Sequence, residues 1–155
     1  MKHLEKGNIK TMKKILLTSL ILFSFNTVGQ ISPEIKALND KPKSILFIGN
    51  SYLYYNDSLH NHFKNMANEK FANFNGSKNV KSATIGGSRL KHHDVGRLIQ
   101  PLAISDVEKF DLVILQGGSG EVLSKDSRQE FNKIAHQHIE IIRSKDIETA
   151  LYMTH

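Results

Sequence analysis

Four short apolar runs divide the chain, and polar or helix-patterned stretches lie between them. Ser44-Ile45-Leu46-Phe47-Ile48 is continuous, as expected for a strand buried on both faces. Val80 to Ile85 is a second, weaker run; Asp111 to Leu115 is a third and strongly apolar; Ala150 to Met153 begins a fourth. Between the first two, Asn56-Asp57-Ser58 offers a helix N-cap, and Leu59, Phe63, Met66, Ala67 and Phe71 recur at helical spacing. Asn73 to Lys78, centred on Asn75-Gly76, is turn-rich. After the third run, Asp126 can cap a helix that places Phe131, Ile134, Ala135, His138, Ile139 and Ile142 along one stripe. Strands alternating with helices predict an α/β chain whose parallel sheet carries helices on both faces. The fourth strand has no successor, so the sheet reads as unfinished at its C-terminal side.

Each of the first three strands runs into a cluster of small and polar residues. These are Gly49-Asn50-Ser51-Tyr52, Gly86-Gly87-Ser88 and Gln116-Gly117-Gly118-Ser119-Gly120. In a parallel sheet all three sit at carboxyl ends and share one rim, which is where open α/β sheets bind ligands. Glycines at that rim leave backbone N–H groups free to face an anion.

Residues 1–29 read differently from the rest. Met12-Lys13-Lys14 precedes an apolar run of eleven residues, Ile15 to Phe25, and Asn26-Thr27-Val28-Gly29 closes it with small residues. A short basic head, an apolar core too short for a bilayer and a small-residue end make a secretory signal, with cleavage expected before Gln30. Met12 opens that signal unaided and is read as the true start. Residues 30–43, polar and holding two prolines, form a lead-in, and the domain proper runs over 44–155. The expected location is therefore the periplasm or the outside of the cell, with no stable membrane span after cleavage.

The same division disposes of the charge. The whole chain carries a formal +6, but residues 1–29 hold five lysines against Glu5, and without them 16 basic residues face 14 acidic ones. A nucleic-acid partner thus loses its electrostatic basis. The chain has no cysteine, which excludes a disulfide framework, thiol catalysis and Cys-ligated zinc.

A serine between a buried strand and a helix can supply both a nucleophile and, through its own N–H, an oxyanion donor. The competing reading of Ser51 is an ordinary turn serine. Here the chain resembles a known family. Ile45 to Tyr52 looks like the first block of the SGNH, or GDSL-type, hydrolases, in the variant with Gly-Asn-Ser-Tyr. Ile85-Gly86-Gly87-Ser88-Arg89-Leu90, with His92 or His93 behind it, is similar to the second block. Asp111 to Gln116 with Gly117-Gly118-Ser119 resembles the third, and Leu151 to Thr154 the strand that follows.

The resemblance implies a three-layer α/β/α, flavodoxin-like fold, incomplete at the C-terminus, and hydrolysis of small acyl esters, carbohydrate acetyl esters among them, without cofactor or metal. By the same implication Ser51 is the nucleophile, and the Ser51 N–H, the Gly87 N–H and the side chain at Ser119 hold the oxyanion. Gly86 is the less favoured glycine. Asn50, Gly86 and Gln116 are expected to contact substrate. Ser119 replaces the family's asparagine; its hydroxyl is shorter, so the Gln116 amide stands as an alternative third donor.

The family's base, a histidine three residues after an aspartate, would follow a fifth strand, and no such pair follows the third strand here. His155 has Tyr152 where that aspartate would stand. The chain is thus expected to be a hydrolase cut short and inactive as it stands. The His60/His62 and His136/His138 pairs are spaced i, i+2 on helices, so neither pair can easily share one ion. His92 and His93 read as a solvated loop near the rim. Gly117 to Gly120 lacks the spacing of a nucleotide loop, and no Gly-x-Ser-x-Gly elbow occurs. Two classes remain: an exported serine esterase, or a non-catalytic module that keeps the rim and binds a small ligand.

Overall fold

The structure, a computed structural model, describes Leu38 and residues 41–152. The signal and the residues Met153, Thr154 and His155 lie outside them. Four strands form one parallel sheet: β1 (Ile45–Gly49), β2 (Val80–Thr84), β3 (Leu112–Gln116) and β4 (Glu148–Tyr152), in the order β2-β1-β3-β4. The register aligns Gly49 with Thr84 and Gln116 with Tyr152, so all four carboxyl ends lie on one side. This is the order of a doubly wound sheet, and its switch point lies between β1 and β3.

Strand alternation sorts the core into two layers. Leu46, Ile48, Val113 and Leu115 face α5 (Lys125–Arg143), packing with Ala135 and Ile142. Ile45, Phe47 and Leu112 face the opposite way, against Leu53, Leu59 and Phe63. Leu59 and Phe63 belong to α2 (Leu59–Lys70), and Phe47 and Phe63 stack with ring centroids 6.0 Å apart. Helices therefore cover both faces, as the alternation of elements predicts. Each fully buried aliphatic side chain contributes about 1.5–3 kcal/mol.

Several boundaries move. Helix α5 is capped by Ser124, whose Oγ accepts the Ser127 N–H, and Asp126 falls in its first turn. Ser58 sits at the N-cap of α2 without capping it; its φ is +68° and its hydroxyl donates to the Tyr54 carbonyl. Met66 and Phe71, expected on the apolar stripe of α2, are exposed, because β2 is an edge strand and gives that end of the helix nothing to cover. Strand β4 starts at Glu148 rather than Ala150, since the turn ending at Asp146 returns the chain to the sheet earlier.

The turn around Asn75 is a one-turn helix, α3 (Gly76–Asn79), capped by the Asn75 side chain. The stretch before β3 holds a further short helix, α4 (Val95–Leu98), and buries Leu90, Val95, Ile99, Val107 and Phe110. No periodic pattern marks that stretch in the sequence. Among the described residues no helix is long and apolar enough to cross a membrane.

Candidate active site

The turn after β1 is built around Asn50, which is buried and caps α1 (Ser51–Tyr54). Its Oδ1 accepts the Tyr52 N–H at 3.1 Å, and its Nδ2 donates to the Ser88 carbonyl at 2.9 Å. Its own N–H donates to Gln116 Oε1 at 2.8 Å. One residue thereby ties the first cluster to the second and to the third. Gly118 lies against the same junction: a Cβ on it would sit 3.1 Å from the Ser88 carbonyl and 3.7 Å from Asn50 Nδ2. The three strand-end clusters meet at the switch point, as one shared rim requires.

Asn50 and Gln116, expected to contact substrate, have their polar ends taken within the chain. Gln116 is 1% exposed; its Oε1 holds the Asn50 N–H and its Nε2 donates to the Gly117 carbonyl. With its amide committed, Gln116 is not a free oxyanion donor, and both residues hold the turn rather than face the rim. The strand places Gln116 on the same face as Leu112, over Gly49, where the missing side chain leaves it room.

The groups expected to do chemistry stay free. Ser51 is half-buried, and neither its hydroxyl nor its N–H is hydrogen-bonded to any described residue. Gly87 is exposed, its N–H likewise has no partner among the described residues, and its φ is +68°. It is the third residue of a turn closed by the Ser88 N–H on the Ile85 carbonyl, the place a type II turn reserves for glycine. Gly86 is exposed and packs under Tyr54: a Cβ there would lie 3.0 Å from the tyrosine hydroxyl. Ser119 is exposed, opens a 3-10 turn (Ser119–Val122), and leaves its hydroxyl without a partner among the described residues.

Two features escaped the sequence reading. Glu121 is 3% exposed, accepts the Leu90 N–H through both oxygens at 3.2 and 3.1 Å, and also accepts the Gly118 N–H. It locks the third cluster to the segment after the second. A glutamate three residues past the start of a turn, reaching back to the first amide, is the half of a capping box that could have been read. Replacing it by alanine is expected to cost about 1–3 kcal/mol for each amide left buried and unpaired. Urea unfolding should record a lower midpoint, with Glu121→Gln, which keeps an acceptor, recovering part of the loss.

The second feature is His93. It is 4% exposed, not solvated, and its Nε2 lies 2.9 Å from Ser88 Oγ. Burial, then His138 and His92, hold its imidazole below the ordinary value. His92 is exposed, but it ends a 3-10 turn (Leu90–His92) and its Nδ1 accepts the Arg89 N–H at 3.1 Å.

The other described histidines are engaged elsewhere or exposed. His60 approaches Ser82, His62 the Asn56 carbonyl and His138 the Leu90 carbonyl, while His136 is exposed on α5. None is bonded to Ser51. No group of three potential ligands for a metal occurs among the described residues.

A cavity of about 1130 Å³ opens at the amino end of the sheet, lined by Lys43, Lys109, Asp111, Asp146 and Glu148 among others. Lys109 pairs with Asp146, and Asp111 holds the Lys43 and Ser44 amides, so its walls are internally satisfied and remote from the rim. Fold and site together define a doubly wound α/β chain with a serine on the turn at its switch point. Compared with family models, with curated proteins and with solved structures, the chain matches none.

Proposed function

We propose that this chain belongs to an exported serine ester hydrolase of the SGNH type, with Ser51 as nucleophile and small acyl esters, including acetyl esters of carbohydrates, as substrates. The observation that carries the reading is the pair of unpartnered amides, Ser51 N–H and Gly87 N–H. They stand one residue to either side of the bond that joins Asn50 to Ser88. Neither amide is committed to the fold or sealed from solvent, so both, beside an uncommitted serine hydroxyl, are open to an oxyanion that arrives with substrate. In this reading the unpartnered Ser119 hydroxyl adds a third donor.

Attack of Ser51 Oγ on an ester carbonyl forms the C–O bond, moves the carbonyl electron pair onto oxygen and requires a base for the serine proton. No described histidine touches Ser51. That observation favours a second reading, a module that binds an ester or carboxylate at the rim without turning it over.

The two readings separate in one experiment. With imidazole in the buffer as an external base, p-nitrophenyl acetate should add a single acetyl group, mapped by peptide mass to Ser51 and absent from Ser51→Ala. An unlabelled Ser51 under those conditions would leave only the binding module.

Export is part of the proposal and rests on the basic, apolar and small-residue pattern of residues 12–29. N-terminal sequencing of protein recovered outside the cytoplasm should begin at Gln30; a start at Met1 or Met12 would contradict it.

A further inference from the structure

Ser88 is the hub of the second cluster. Its N–H closes the turn on the Ile85 carbonyl at 3.2 Å, its carbonyl accepts Asn50 Nδ2 at 2.9 Å, and its hydroxyl lies between His93 Nε2 at 2.9 Å and the Gly49 carbonyl at 3.5 Å. Gly87, immediately before it, makes no bond to any described residue. The direction of the Gly87 N–H is therefore set by the turn that Ser88 anchors. The Ser88 hydroxyl has one good partner, His93, because 3.5 Å is at the limit of a hydrogen bond.

We infer that His93 is a positioning residue of the rim: through Ser88 Oγ it fixes the Ile85–Ser88 turn and so aims the Gly87 N–H at the oxyanion position. The inference rests on the ester-hydrolase reading for what that N–H holds, but not for the coupling itself. In the neutral imidazole that carries its proton on Nδ1, Nε2 accepts the Ser88 hydroxyl proton. A protonated His93 has no acceptor to offer. Its Nε2–H then donates to Ser88 Oγ, and the hydroxyl proton must turn to the distant Gly49 carbonyl. The two protonation states hold the turn differently.

The groups around His93 favour the neutral state. His92 and Asp94 flank it along the chain. His138 reaches across from α5 to the Leu90 carbonyl at 3.2 Å, and Glu121 holds the Leu90 N–H from the loop before α5. Burial and the two histidines depress its proton affinity. The arrangement in which Ser88 donates to His93 Nε2 is thus the one favoured at neutral pH.

The test is a pH titration of the full chain by NMR, following the histidine ring resonances and the backbone amide of Gly87. The Gly87 amide should shift with the midpoint of His93, which burial and its histidine neighbours hold below the ordinary histidine value. Ser88→Ala should abolish that shift while leaving His93 titrating. His93→Gln, which keeps an acceptor but no titratable group, should hold the Gly87 amide at its high-pH position throughout, and it serves if His93→Ala fails to fold. A Gly87 amide that does not titrate, or that follows His92 or His138 instead, overturns the inference.

A second readout separates the two proposals. His93→Ala should slow imidazole-assisted acetylation of Ser51 by up to the 10²–10³-fold that loss of one oxyanion donor costs, with His93→Gln restoring it. If Ser51 is never acetylated in the unchanged chain, the ester reading fails, and the Gly87 titration still decides the role of His93.

Discussion

Hydrolysis of p-nitrophenyl acetate by this chain alone is expected to be no faster than by Ser51→Ala. A neutral serine hydroxyl is a poor nucleophile, and among the described residues no histidine reaches it. The proposed oxyanion donors cannot remove the proton. A general base contributes about 10²–10⁴-fold. Adding one, either as imidazole or as a separate segment bearing an Asp-x-x-His pair, should raise the rate of the unchanged chain by that order above the background it shares with Ser51→Ala. Stopped-flow or simple absorbance assays at matched imidazole concentration decide it, because the imidazole background is common to both proteins. Fast turnover without any added base, lost in Ser51→Ala, would mean that a histidine outside the described residues or a moved His93 serves Ser51.

Gly49→Ala should unfold the junction that places Ser51. A Cβ at Gly49 would lie 2.4 Å from Gln116 Oε1, 2.8 Å from Leu53 Cδ1 and 2.9 Å from Gln116 Cβ. Gln116 cannot retreat, since it is buried and both ends of its amide are held. Leu53 is equally buried. Overpacking alone costs about 1–3 kcal/mol. Displacing Gln116 also leaves the Asn50 N–H without its acceptor, at about 1–3 kcal/mol more. A loss of several kcal/mol in urea unfolding is expected, enough to erase much of the stability of a chain this size.

Two further glycines calibrate the result. Gly87→Ala meets no atom within 4 Å but must adopt a φ of +68°, and should cost about 1–2 kcal/mol. Gly120→Ala meets nothing and has no positive φ, and should stay within about 0.5 kcal/mol of the parent. If Gly49→Ala matched Gly120→Ala, the packing of Gln116 over β1 would be wrong.

The strands were legible because both faces of the sheet are covered, so β1 and β3 had to be continuous apolar runs. The rim was legible because parallel strands end together, which put the three strand-end clusters at one edge without any knowledge of strand order. What remained hidden depends on contacts between distant segments. Facing rules alone give no reason to seat Gln116 over β1; the vacancy at Gly49 does, and it belongs to another strand. His93 follows exposed His92 in a run of polar residues, and its burial comes from α5 closing over the segment that holds Leu90. Glu121 looks like a loop acid until the Leu90 and Gly118 amides are brought to it. The stretch from Arg89 to Phe110 gave no periodicity because its helices are a single turn long, too short for a pattern to repeat.

The bonds that join the rim span great lengths of chain: Asn50 to Gln116 across 66 residues, Asn50 to Ser88 across 38, Leu90 to Glu121 across 31. Each is closed only after the intervening loop has lost its entropy, and the two bonds of Asn50 lie just past the ends of the β1–β2 and β1–β3 ladders. During synthesis the Ser51 turn therefore emerges long before its anchors do. Until β3 has been made and has docked on β1, Asn50 has no acceptor for its amide and Gly49 has nothing above it. Ser51 and the strand-end clusters around it are brought into register as a late event, by the same step that completes the central pair of the sheet.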